Sequence, residues 1–570
     1  MWKRLLTVGI VLYVIMAMIL VVNPVSATAT SGWGTEKKVS PDSLPPEWYP
    51  SLAMNSKGDA IMTYDFINSG SSFTDIYARF YENGAWTDGT VIDQPSNDRR
   101  DPVAAISDNG SAIVVWSQSD GSQFALYGSE YYPSFGWTSP HQLSSSYTSP
   151  VHPSLKMNGR GNASLAWSDP ANPVIKNRLY SPEQGWQNEV TLSTTTSGYL
   201  PVTGIDANGD VLTVWFDGVS VTHLTYSRYV PGNGWVMPIV INQNNQHPSP
   251  LSMAMNSKGD AVLAYVNSTL GGDHSVNVTS FHGSTWSSTT SLTKVGDHNI
   301  VSPNVDINDQ GQAMVVWTGV NNTNQHVLFS SYDSAWSSVA LVAQGDQSDN
   351  AEVVLNAQGD GTVIWTQGMR PHVFAATVQG GIASAPQKLD TISAGWSQPG
   401  ISVAKDGQGD VMAVYWKMDI DSFWANLYTM PDVTPPTLAL TSPSTVTTTN
   451  ASMVNVAGTT EPGASVMVNG VQAYVSPTGT FSVDVALREG NNTITVSATD
   501  ASGNAATKTV TVSYTNDIRT DLSNAQNGLA SAQNDVSSLK TELLASLAIA
   551  AIALIFAAVS LMLFIRGKKK

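Results

Sequence analysis

Asp206-Ala207-Asn208-Gly209-Asp210-Val211, with Trp215 six residues past the glycine, decides how this chain folds. The signature recurs as Asn55-Ser56-Lys57-Gly58-Asp59-Ala60 before Tyr64 and as Asn356-Ala357-Gln358-Gly359-Asp360-Gly361 before Trp365. Eight copies lie between residues 51 and 417, with glycines at Gly58, Gly110, Gly161, Gly209, Gly259, Gly311, Gly359 and Gly409. The matching aromatics are Tyr64, Trp116, Trp167, Trp215, Tyr265, Trp317, Trp365 and Tyr415. A period of about fifty residues marks a solenoid, a propeller or an array.

One repeat has the chemistry of β-structure. Asn, Asp or Ser three residues before each glycine suits a tight turn, because its short side chain bonds the local backbone. The glycine supplies the positive φ that a bulged hairpin turn requires. A strand such as Ala112-Ile113-Val114-Val115-Trp116 follows, apolar on both faces and so expected to be covered on both. Next comes a strand ending in an aromatic, such as Ile76-Tyr77-Ala78-Arg79-Phe80. A second aromatic mark, at Trp86, Trp137, Trp186, Trp235, Trp286 and Trp336, opens another short strand. Four short strands per repeat and no amphipathic helix predict an all-β protein built on an eight-bladed β-propeller.

The eighth repeat runs to Tyr428 and stops without its Gly-Trp strand, while a lone copy stands at the start as Gly32-Trp33-Gly34-Thr35-Glu36-Lys37-Lys38-Val39. Ring closure by this N-terminal strand is the expectation, since it pairs sheet edges that otherwise invite aggregation. An open string of small β-domains is the alternative.

Residues 1–27 read as a signal peptide: Lys3 and Arg4, an apolar run over 5–22, then Ala27. Residues 543–565 are apolar apart from Ser546 and Ser560, enough for one C-terminal transmembrane helix. Arg566 and Lys568 to Lys570 form a basic tail over 566–570, which marks the inner side. The expected order is a propeller over 32–430, a β-sandwich over 434–515, a helical stalk over 516–542 and the membrane span, with the bulk of the chain extracellular at the cell membrane. The chain has no cysteine, which excludes disulfides, thiolate nucleophiles and Cys-ligated metal. A net charge of −17 argues against a nucleic-acid partner.

From residue 434 to about 515 the turn signals change. The marks are Gly458-Thr459-Thr460-Glu461-Pro462-Gly463-Ala464, Val468-Asn469-Gly470, Gly479-Thr480-Phe481 and Ala498-Thr499-Asp500-Ala501-Ser502-Gly503-Asn504, with Asn469-Gly470 a strong hairpin signal. This stretch resembles the immunoglobulin-like modules of prokaryotic surface proteins and secreted carbohydrate-active enzymes, including the domain-B type of glucodextranases. The resemblance implies an Ig-like β-sandwich acting as a spacer or binding accessory. The blade repeats in turn resemble repeat-rich propellers of secreted prokaryotic proteins. They depart from the sialidase aspartate box, in which the aromatic follows glycine more closely, so the resemblance implies architecture and no catalytic residue.

In the stalk, Ile518, Leu522, Ala525, Leu529, Ala532, Val536, Leu539 and Leu543 alternate in steps of four and three, a coiled-coil heptad. Self-association to a homo-oligomer is one reading and a lone amphipathic stalk the other.

No nucleophile elbow, zinc-binding helix motif, phosphate loop or dinucleotide fingerprint occurs, so no catalytic residue, metal or cofactor is assigned. Asp59, Asp210, Asp260, Asp360 and Asp410 recur at the repeat turn and read as turn chemistry; Arg79, Arg178 and Arg228 share a strand position and read as structural. His223, His274, His326 and His372 fall at nearly one repeat position, before the third strand of blades four to seven, with His152, His247 and His298 in connections between blades. They suggest a partial ring of imidazoles at the channel mouth, for ligand binding or acidity sensing; chance placement in longer polar loops is the alternative. Sequons for glycosylation stand at Asn109, Asn162, Asn267, Asn277, Asn321, Asn450 and Asn491. The function indicated is a cell-surface binding or adhesion protein for an extracellular glycan or a surface protein. A tethered glycoside hydrolase or lyase, and a structural envelope component, are the alternatives.

Overall fold

The computed structural model describes residues 32–567 except 42–49, 68–72, 94–97, 148–151, 170–172, 194, 196, 219–221, 246–249, 269–273, 293–298, 322–323, 346–347, 392–399, 418–419, 431–434, 444–446, 501–502 and 517. The expected signal peptide over 1–27 and the three final lysines lie outside the described residues. The chain divides into two units, Thr30–Pro431 and one that holds Asp432–Lys570.

Among the described residues the first unit forms eight antiparallel sheets, a β-propeller. Blade one runs outward from Ser51–Met54 through Ala60–Ile67 and Thr74–Glu82 to Ala85–Trp86. The second strands carry the signature. Trp116, Trp167, Trp215, Trp317 and Trp365 are at most 1 % exposed, as are Tyr64, Tyr265 and Tyr415. Neighbouring blades cover both faces of these strands, so a continuous apolar run is stable here where an alternating one would leave polar groups buried. The fourth strand departs from the sequence reading. In seven blades it is split in two, as in Gly136–Trp137 and His141–Gln142, both paired with Phe124–Tyr132. Such short edges leave little backbone open to a foreign strand.

The ring closes through the N-terminal segment. Gly32–Trp33 pairs with Ser422–Thr429 in the register Gly32 to Thr429 and Trp33 to Tyr428, and Lys37–Lys38 pairs with the same strand. The ring contact of Trp33 on Tyr428, 5.3 Å between centroids, repeats that of Trp137 on Tyr131 and of Trp186 on Tyr180. The N-terminal tryptophan thus occupies the ordinary fourth-strand position of a blade 395 residues away in sequence, counted as Tyr428 minus Trp33.

Two sets of hydrogen bonds join blade to blade. At one end of the channel a side chain of six inner strands caps an amide of the next blade. Ser51 accepts from Ala104 N, Ser154 from Thr203 N, Ser252 from Val305 N, Asn304 from Val353 N, Glu352 from Val403 N, and Ser402 from Leu52 N back in blade one. Val103 and Val202 hold the two remaining positions and carry no acceptor. At the other end the turn asparagine serves twice. Asn55 Oδ1 accepts from Lys57 N and Asp59 N, closing its own turn, while its Nδ2 donates to Ser107 O of the next blade at 3.0 Å. Asn158, Asn256 and Asn308 make the same staple. Where Ser107, Asp206 or Asp406 stands instead, no amide is available and the backbone takes over. Asp108 N donates to Gly159 O, Ala207 N to Ser257 O, and Gly407 N to Ser56 O.

The second unit holds a sandwich of a three-stranded and a five-stranded sheet, the latter starting from the parallel pair Thr447–Thr449 and Ala505–Tyr514. Val456, Val466, Ile494, Val496 and Val512 fill the space between them. A single unbroken helix, Ile518–Gly567, comes next in sequence. It is the one described helix long and apolar enough to cross a membrane.

Candidate functional site

The eight inner strands surround a channel of about 410 Å³. Aligning the repeats by their turns puts Ala53, Ala105, Gly204, Ala254, Val354 and Ala404 at one inner-strand position, all small or apolar. The other two blades place Lys156 and Asp306 there. Glu352 and Lys405 add charge at neighbouring positions of the lining.

These four groups are ordered along the channel. Glu352 lines both the channel and a cavity of about 630 Å³ at one mouth. Lys156 lines the channel and neither mouth cavity. Asp306 and Lys405 line the channel and a second cavity of about 330 Å³ at the opposite mouth. Lys405 Nζ pairs with Asp306 Oδ2 and donates to Leu355 O at 2.8 Å, and Leu355 N donates to the same Asp306 oxygen at 2.7 Å. That end is neutralised. Lys156 is exposed to the channel yet ringed by protein, and the second condition governs its charge. Burial pulls its ammonium below the usual lysine value, with Asp306 and Glu352 opposing. Burial pushes the Glu352 carboxyl up to about 7, against the Val403 N–H and the Lys156 charge. Desolvation wins because one amide bond and one distant cation replace little of the lost hydration.

The 630 Å³ mouth cavity is lined by Arg100, Asp101, His152 and Glu352 among prolines Pro50, Pro102 and Pro153. Its polar groups are held. His152 Nδ1 lies 3.1 Å from Asp101 Oδ2, and that bond raises the imidazole above its ordinary value. Arg100 Nε donates to Asp98 Oδ2 at 2.7 Å. Backbone strain is concentrated on the same inner-strand ends. Asp101, Leu200, Ser302 and Asn350 take φ between 45° and 53°, two residues before the interblade capping position. Each sits in a register shift of its strand. A non-glycine residue held so costs about 1–3 kcal/mol, and such strain clusters at functional sites.

The histidines singled out from sequence do not form a ring at this mouth. His223, His274, His326 and His372 lie on the third strands, two strands out from the channel, and line neither the channel nor the mouth cavity. The repeat position that unites them is a blade position, and periodicity alone does not report distance from the axis. His372 Nδ1 bonds Asp390, whose carboxyl burial pushes upward. His152 is the one that reaches the mouth, while His247 and His298 lie outside the described residues. On the opposite face His282 pairs with Asp260 at 2.5 Å at the turn end of blade five. Among the described residues no cluster of three or more His, Asp or Glu could hold a metal.

The recurrent carboxylates act at their turns. Asp210 pairs with Arg228 at 2.5 Å, and Asp410 accepts from Met430 N at 2.7 Å. Arg79 Nη1 donates to Val39 O at 2.6 Å, tying blade one to the closing segment. Of the sequons, Asn109, Asn450 and Asn491 are exposed and Asn162 and Asn267 half-buried. Asn277 is only 7 % exposed, with its Oδ1 accepting from Ser275 Oγ, so it presents no amide to a glycan in the folded chain.

Sequence reading missed Glu352, Lys156 and the proline collar. The signal lay in the repeat alignment itself, where a charge at an otherwise small position marks the channel.

Residues 436–516 match the family model "Glucodextranase, domain B". No curated protein matches the chain. Among solved structures, the Dos1 propeller is similar at 10 % identity and TM-score 0.46, covering 70 % of this chain and 95 % of that one. The BP39L lectin from Burkholderia pseudomallei is similar at 11 % identity and TM-score 0.42, over 61 % and 99 %. A polysaccharide lyase of family PL25, an ulvan lyase, gives 10 % identity and TM-score 0.40, over 63 % and 94 %. At these values the likenesses carry no argument about activity.

Proposed function

We propose that this chain is a membrane-anchored cell-surface protein whose propeller binds an extracellular glycan at the mouth over Arg100, Asp101 and His152. The observation that carries this reading is the mouth cavity itself. It is large enough for one or two sugar rings, it combines paired polar groups with flat proline faces, and it is bordered by strained backbone. The domain-B match supports a carbohydrate context for the second unit. The apolar helix supports anchorage, and a chain charge of −17 favours a neutral glycan over a polyanion.

Binding is favoured over catalysis because the acids at the mouth have structural partners: Asp101 holds His152 and Glu352 caps Val403 N. One observation favours a hydrolase or lyase, a carboxyl near pKa 7 at the junction of mouth and channel. One experiment addresses both. The full chain in detergent is applied to a glycan array, and the ligands retained are assayed for new reducing or unsaturated ends. Retention without cleavage, lost in Arg100→Ala and His152→Ala at unchanged melting temperature, is the expected result. Retention that survives both substitutions contradicts the site; cleavage abolished by Glu352→Gln replaces binding with catalysis.

A further inference from the structure

We propose that the helix Ile518–Gly567 is an oligomerisation element that packs in parallel against the same helix of a second copy of this chain. In a single chain its seam is open. Leu522, Leu529, Val536, Leu539 and Leu543 are 57–65 % exposed. With Ala525 and Ala532 they recur every three or four residues on one stripe of an unbroken helix. Outside the membrane such a stripe gains by burial only if another helix covers it.

Charge complementarity selects the occupant. With Leu522, Leu529 and Val536 at heptad position a, Asp535 falls at g and Lys540 at the following e. In a parallel pair that g and that e of the partner face each other, giving an Asp535–Lys540 attraction on both sides of the seam. The remaining g positions bear Asp521, Gly528 and Glu542. An antiparallel pair places this acidic row against itself and loses the attraction. Copies anchored in one membrane are parallel already, and confinement raises their effective concentration.

The seam continues in phase where the helix becomes apolar. The next a and d positions are Ser546, Ala550, Ala553, Ala557 and Ser560, every one small. The side chain that suits a seam changes with the solvent. Leu and Val bury apolar area from water, whereas in lipid the gain comes from close backbone approach over Ala and Ser. The residue types change at the expected place and the register does not.

The chain has no native cysteine, so single substitutions report proximity without background. The full chain in vesicles is oxidised after Leu522→Cys, Leu529→Cys, Val536→Cys or Ala550→Cys, and compared with Asn527→Cys and Asn534→Cys on the opposite face. The proposal expects same-residue disulfides several-fold more abundant at all four seam positions. Equal yields at all positions, or yields confined to one heptad as an antiparallel pair would give, overturn it. Lys540→Asp is expected to lower the Leu529→Cys yield, and adding Asp535→Lys to restore it. Restoration failing after a clear loss overturns the parallel register.

Discussion

Lys417 Nζ donates to Glu36 Oε2 at 2.5 Å, across 381 residues of sequence. Both side chains are buried, 0 % and 8 % exposed. Tyr415 OH donates to the same oxygen at 2.9 Å, and Thr391 N to the other oxygen at 3.0 Å. Lys417 also lies 4.2 Å above the ring of Trp424. The closing segment is therefore held by its backbone register and by one carboxylate that satisfies Tyr415 and Lys417 of the last blade and Thr391 in the connection from blade seven. Burial raises the Glu36 carboxyl, but these bonds together more than reverse it, so its net shift is downward.

Lys417→Met leaves that carboxylate buried without its cation. Removing one member of such a pair costs about 3–5 kcal/mol, so chemical denaturation should show a loss of that order. Thr35→Ala, on an exposed neighbour of Glu36, should stay within about 0.5 kcal/mol of the parent.

The turn asparagine separates two roles that one substitution can split. Asn256→Asp keeps the oxygen that closes the turn and removes the Nδ2 that donates to Asn308 O at 3.0 Å. A loss of about 1 kcal/mol in urea denaturation is expected. The same change at the half-buried Asn162, which makes no such staple, should be silent by the same measurement.

Glu352 makes stability depend on pH in an unusual direction. Its folded value of about 7 stands above its ordinary 4.5. Between the two, the folded state holds a proton that the unfolded chain has lost. Stability from this group therefore falls as pH rises through that window and is level above it. Burial raises Asp93 to about 6 and lifts Asp406, which act in the same sense. Melting temperature should fall from pH 5 to pH 8, and Glu352→Gln should flatten that slope.

Asn277 should carry no glycan in native material, whatever the occupancy of Asn450 and Asn491. Glycopeptide mass spectrometry of the folded, membrane-extracted chain checks this, because the buried amide of Asn277 lies within the packed strand His274–His282.

The repeat, its turn and its closing strand were legible because each rests on local chemistry: Gly58 takes φ 88°, Gly209 φ 89°, and Trp33 repeats the Gly-Trp mark. The sandwich was legible for the same reason at Asn469-Gly470, both at positive φ. The split of the outer strands was not, since it depends on bonds such as Thr138 N to Glu130 O after which the chain leaves the sheet. The site was hardest. His223 and His372 share a repeat position yet sit far from the axis, whereas Glu352 and Lys156 share none and meet in the channel's field. Periodicity reports position along a blade; function here depends on convergence across blades.

Ring closure is tested most directly by trapping it. Lys37 and Ala425 are register partners across the closing pair, and the parent chain supplies no competing thiol. The double variant Lys37→Cys, Ala425→Cys should form an intramolecular disulfide on mild oxidation and melt at a higher temperature than its reduced form. Thiols that stay free, or that link only between molecules, would contradict a propeller sealed by its own first strand.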